Sequence, residues 1–84
     1  MNYRVFILPS AQKELERLPQ ATFERVRNAV LTLAHDPRPP GCSKLKGREG
    51  WRVREGDYRV LYEIDDQQRT VTVLRIRHRR DVYR

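Results

Sequence analysis

Eighty-four residues suffice for one domain with a thin hydrophobic core, so a single domain over 1–84 is expected. Hydrophobic residues make up 38% and charged residues 35%, the balance of a folded soluble chain rather than a disordered one. No apolar run is long enough for a membrane span, and the stretch from Val5 to Leu8 is too short for the apolar core of a signal peptide.

The net charge of +7 is the informative number. Residues 1–42 carry six basic and four acidic side chains, whereas residues 43–84 carry twelve and seven. Arginine supplies most of the excess, and its planar fork suits bidentate contacts to phosphate. Such a surface attracts a polyanion, with an acidic protein or an anionic membrane as the other partners that satisfy it. The single cysteine, Cys42, has no partner for an internal disulfide, which fits a reducing cytoplasm.

In chain order, residues 3–8 (YRVFIL) are β-branched and aromatic and are stopped by Pro9, which predicts a strand. Ser10 is then placed to cap a helix in which Ala11, Leu15 and Leu18 share one face. Pro19 interrupts, and a second helix is expected from about Gln20 to about His35, with Phe23, Val26, Val30 and Leu33 in a core-facing stripe. His35 reads as a cap at that helix's C-terminus. Three prolines and three glycines between positions 37 and 50 predict a loop without regular structure.

Residues 51–55 (WRVRE) alternate, with Trp51 and Val53 on one side and Arg52 and Arg54 on the other. Gly56-Asp57 turns the chain into a strand over 58–64, and residues 65–68 turn it into another over 70–77. The expected fold is α+β in the order β-α-α-β-β-β: an antiparallel sheet with an N-terminal helical hairpin packed on one face. The other face is then open to a ligand.

Several segments can bring cations to that face. Arg52 and Arg54 come from the first strand after the loop, Arg59 from the next, and Arg77 with His78, Arg79, Tyr83 and Arg84 from the end of the chain. The loop adds Lys44, Lys46 and Arg48. Each has a structural alternative: Arg52 and Arg54 as a solvated strand face, Arg59 paired with Glu49 or Glu63, His78 as a surface histidine, Tyr83 as packing. No Cys/His cluster or HExxH suggests a metal, no glycine-rich phosphate loop suggests a nucleotide, and Ser10 and Ser43 lack a nucleophile-elbow context. Neither a metal nor a cofactor is therefore expected.

The stretches LKG, GWRVREGDYRVLYEID and HRRDVYR, together with the opening YRVFILPSAQKELERLP, resemble the RelE branch of the RelE/ParE toxin–antitoxin superfamily over essentially the whole chain. That resemblance implies a microbial-ribonuclease-like fold and a cytoplasmic mRNA interferase that cuts messenger RNA in the A site of the 70S ribosome. It also implies a cognate antitoxin, and contact with operator DNA only through the toxin–antitoxin complex. The implied catalytic set is Arg52, Arg54, Arg59, Arg79 and Tyr83, with Lys44, Lys46, Arg48, Arg77 and His78 contacting RNA. The best-known members carry lysines where this chain has Arg52 and Arg54. Arginine does not lose its proton, so the proton acceptor for a 2′-hydroxyl falls to Tyr83 or His78. The spacing from Arg79 to Tyr83 is also shorter here than in the best-known member. Two readings compete: a ParE-like toxin directed at DNA gyrase, and a non-catalytic basic binding module.

Overall fold

The computed structural model describes residues 2–82. Its elements are β1 (Arg4–Ile7), α1 (Pro9–Glu16), α2 (Gln20–Thr32), β2 (Ser43–Lys44), β3 (Trp51–Glu55), β4 (Tyr58–Asp65), β5 (Thr70–His78) and α3 (Arg79–Val82). The α+β architecture with a helical hairpin on one sheet face is present as expected, with a short third helix, α3, that the expected order lacked and four further differences.

Helix α1 begins at Pro9 rather than after Ser10. A proline at the first helical position loses no hydrogen bond, because that N–H has no partner inside a helix. Helix α2 ends at Thr32, and the ring of His35 lies 3.2 Å from the Asn2 side-chain oxygen. The proline- and glycine-rich loop holds a two-residue strand, β2, in which Ser43 and Lys44 pair with Arg52 and Trp51. Finally, the sheet is mixed. Its order is β1-β5-β4-β3-β2, and β1 runs parallel to β5 while the other pairs are antiparallel. After β1 the two helices carry the chain to the far edge. The meander then returns strand by strand until β5 meets β1.

The core lies between the helices and one face of the sheet. Ala11 and Leu15 of α1, Val26 and Val30 of α2, and Leu33 pack on Val53, Val60, Tyr62, Val71, Val73 and Ile76. Tyr62 is fully buried, and its hydroxyl donates to the Pro37 carbonyl at 2.7 Å, tying down the loop after α2. Burial pushes its phenol pKa well up, so it stays a neutral donor.

One irregularity decides which side chains face away from this core. Leu61 pairs with Arg75, but Tyr62 pairs with Val73, so Leu74 is an extra residue in β5. A strand's side chains alternate with a period of two, and one inserted residue exchanges the two faces beyond it. Val71 and Val73 point into the core on one side of the bulge, and Ile76 does so on the other. Without the bulge, Arg75 and Arg77 would share the face of Val71 and Val73. With it, they lie on the helix-free face.

Candidate nucleic-acid interface

Residues directly opposite one another in an antiparallel pair share a face. Arg54 stands opposite Arg59, and Arg59 opposite Arg77, so three arginines form a row across β3, β4 and β5. The next row holds Ser43, Arg52, Leu61 and Arg75. The face away from the helical hairpin thus carries five arginines in two adjacent rows.

Arg59 is the most unusual of them. It is 6% exposed, the one buried charged residue among the described residues. Its guanidinium donates to the carbonyls of Tyr58 and Gly56, at 3.2 and 3.4 Å. Neither Glu49 nor Glu63 pairs with it; no carboxylate reaches it among the described residues. The Gly56 carbonyl is available because the two-residue turn puts Gly56 at φ 59°, a conformation glycine adopts without strain. Removing a cation from water costs several kcal/mol unless an anion compensates. Two carbonyl dipoles orient the group without cancelling its charge.

The neighbours are held differently. Arg54 is exposed and Arg52 half-buried. Arg75 donates to Glu14 of α1 at 2.8 Å, and Arg77 Nε lies 3.2 Å from the same carboxylate oxygen. Arg79 stands just beyond β5, where its amide donates to the Asp57 carbonyl at 2.7 Å and its side chain is 3.9 Å from the Asp57 carboxylate. It lies at the hairpin-turn end of the sheet, beside the carbonyls that hold Arg59. Lys44 and Lys46 join Ser43, Leu45 and Arg52 in lining a groove of about 440 Å³.

Other candidates lie apart from the row. His78 is opposite Tyr58, makes an edge-on ring contact with it at 5.3 Å, and accepts the Arg80 amide on Nδ1. It is therefore on the helix side of the sheet with Ile76, not with Arg77. Lys44 also lies on that side, with its ammonium 5.4 Å from the centre of the Trp51 ring. Arg48 is exposed in the loop between β2 and β3. Tyr83 lies outside the described residues. A second groove, of about 480 Å³, sits at the other end of the sheet and is lined by Glu49, Glu63, Asp65 and Asp66. Its charge repels phosphate. Among the described residues, no cluster of His, Cys, Asp or Glu is arranged to hold a metal ion, and no helix is long and apolar enough to cross a membrane.

The participant that sequence reasoning missed is Glu14. It sits beside Leu15 in α1, and nothing in its local pattern announces a contact with residues 61 and 63 positions away. The bulge did leave a signal: the inward apolar spacing changes from two, at Val71 and Val73, to three, at Ile76.

A mixed sheet with a helical hairpin on one side and rows of arginine on the other defines a class, and the comparisons with known proteins agree with it. The family described as "ParE toxin of type II toxin-antitoxin system, parDE" matches residues 5–83. The chain is similar to toxin RelG of Mycobacterium tuberculosis, 36% identical over 86 residues, spanning 100% of this chain and 99% of the relative. It is also 36% identical over 86 residues to toxin RelE of the same organism, covering 98% and 87%. Among solved structures, the M. tuberculosis RelBE2 toxin–antitoxin complex matches with a TM-score of 0.83 and 30% identity, over 93% of this chain and 99% of that one. The archaeal RelE–RelB complex of Pyrococcus horikoshii matches at 0.84 and 32%, over 94% and 97%. The chain belongs to the RelE/ParE toxin–antitoxin superfamily, and within it is closely related to the RelE toxins.

Proposed function

We propose that this toxin is a ribosome-dependent endoribonuclease, and the observation that carries the reading is the buried Arg59, flanked by Arg54 and Arg77, with no carboxylate among the described residues to neutralise it. Fixed cations of this kind suit a scissile phosphodiester, whose charge grows as the 2′-oxygen attacks phosphorus. Arg59 and Arg77 contact the phosphate, Arg54 and Arg52 stabilise the developing charge and the leaving 5′-oxygen, and Arg79 grips the chain at the hairpin-turn end. The products are a 2′,3′-cyclic phosphate and a free 5′-hydroxyl.

The proton acceptor is Tyr83. Arginines do not serve as bases, and His78 is on the helix side with one ring nitrogen engaged. The resemblance to the RelE toxins assigns the role to the terminal tyrosine, and phenol is the remaining side chain there that can give up and take back a proton. Lacking a histidine–glutamate pair at the row, the protein depends on the ribosome to orient the 2′-hydroxyl, so naked RNA is a poor substrate. Lys46 and Arg48 extend the contact to flanking RNA. A cognate antitoxin covers the arginine rows with acidic residues, as befits a chain similar to toxins solved in complex with their antitoxins.

The test is single-turnover cleavage of A-site mRNA on programmed 70S ribosomes. Arg59→Ala should slow it by about 10²–10³, the scale of losing one fixed donor to a transition-state oxyanion. Tyr83→Phe should also be slow, and full activity in both variants rejects the assignment. The match to the ParE family favours a second reading, inhibition of DNA gyrase. Induced expression separates the two: translation arrest without DNA damage supports the nuclease, and DNA damage with translation intact supports the gyrase poison.

A further inference from the structure

Strand β1 pairs with β5 only as far as Val73, and the Leu8 amide adds one more bond to the Val73 carbonyl. Beyond that point the outer edge of β5 has no neighbouring strand. Helix α1 crosses there, and two of its side chains one turn apart reach the edge. Ser10 Oγ lies 3.5 Å from the Leu74 carbonyl, and Glu14 Oε1 accepts the Ile76 amide at 2.7 Å. The second oxygen of the same carboxylate faces the arginines. Arg75 donates to it at 2.8 Å from one terminal nitrogen, and Arg77 Nε lies 3.2 Å away.

Arg77 Nε is buried and makes no hydrogen bond of good geometry, so the attraction of Glu14 for it is electrostatic. That attraction holds the Arg77 side chain at its Nε, next to the planar fork that suits a phosphate. Glu14 is also the one carboxylate among the described ion pairs that reaches the arginine rows.

We propose that Glu14 is a positioning residue for the phosphate site: anchored on the Ile76 amide, its carboxylate sets the direction of Arg77 beside Arg59 and occupies Arg75. The inference rests on the nuclease reading, and its test is built to fail separately from it. Glu14→Gln keeps an oxygen for the Ile76 amide but loses the charge that holds Arg77, and Glu16→Gln makes the same charge change on the same helix, where Glu16 accepts from Gln12 and pairs with no cation among the described residues.

On programmed ribosomes, Glu14→Gln should lower the maximal cleavage rate by about tenfold or more, the cost of a misplaced catalytic group, with little change in half-saturation. Glu16→Gln should match the wild type. Combined with Arg77→Lys, Glu14→Gln should cost far less than it does alone, since a residue acting through another adds nothing once that other is altered. Equal losses in both backgrounds, or equal losses for Glu14→Gln and Glu16→Gln, would overturn the positioning role. A wild-type rate for Glu14→Gln, with Arg59→Ala inactive, overturns it too and leaves the nuclease reading standing. Should Arg59→Ala prove fully active, nitrogen-15 spectra of the Arg77 side chain decide the matter without any cleavage assay. Faster hydrogen exchange at Arg77 Nε in Glu14→Gln supports the proposal, and unchanged exchange refutes it.

Discussion

Arg38 and Arg59 lie at opposite ends of the same sheet and are treated in opposite ways. Arg38, in the loop after α2, is exposed, donates to both oxygens of Asp66 at 3.0 and 3.3 Å, and rests 5.0 Å from the centre of the Trp51 ring. Asp66 also accepts the Tyr3 hydroxyl at 2.6 Å. Here charge is neutralised, every group has a partner, and the result joins the loop, the start of the chain and the β4–β5 turn. Arg59 is buried, and only carbonyls hold it. The difference separates a cation used as a fastener from one that no carboxylate neutralises among the described residues. A charge left uncompensated in this way makes its residue a candidate for a functional site.

The contrast breaks most completely opposite Leu74. Inserting one residue between Leu61 and Tyr62 gives Leu74 a partner, removes the bulge and puts Arg59, Arg75 and Arg77 on the face of Tyr62, Val71 and Val73. Unpaired buried cations cost several kcal/mol each, which is comparable to the whole stability of a small domain. Circular dichroism and size-exclusion chromatography should find no folded monomer; a native-like spectrum would mean that the bulge does not set the faces.

A core truncation such as Leu33→Ala is next in size, at about 2–5 kcal/mol of stability. Chemical denaturation should show that loss, while the folded protein keeps its cleavage rate. Loss of activity without loss of stability would place Leu33 in the site instead.

Acid separates the two ends more gently. Partial burial pushes the Glu14 carboxyl up, but its bonds from Arg75 and the Ile76 amide, with the charge of Arg77, outweigh that and hold it below the usual range. Asp66 is held low by the hydrogen bonds from Arg38 and Tyr3. A carboxylate whose pKa is depressed on folding adds stability above its unfolded value and loses it as pH falls through the folded one. Melting followed downward from about pH 5 should therefore be steeper for the wild type than for Glu14→Gln combined with Asp66→Asn. Parallel curves would mean that neither pair holds in solution. The smallest effect is expected of Arg38→Ala: a slight fall in melting midpoint, as for exposed ion pairs generally, and no change in cleavage.

Most of the element order was legible because it is local. The alternation in WRVRE, the Gly56-Asp57 turn and the stripe from Phe23 to Leu33 give strand, hairpin and helix wherever they occur. What escaped was tertiary. Ser43 and Lys44 form a strand only because Arg52 and Trp51 lie alongside them. The parallel pairing of β1 with β5 depends on where the meander ends, which no short window contains. On the arginine face, the shared side of Arg52 and Arg54 was legible from alternation. The companionship of Arg77, rather than His78, required the bulge. Glu14 required the end of β1 to leave an edge uncovered.

Arg59 is a buried cation held by carbonyls alone among the described residues, and stability and activity of Arg59→Met measured on the same preparation test its role most directly. Replacing an unpaired buried cation with an apolar side chain of similar length should leave the melting midpoint unchanged or raise it, while cleavage on the ribosome falls by about 10²–10³. A variant that melts well below the wild type yet cuts at the wild-type rate would show Arg59 to be a structural residue and contradict the account.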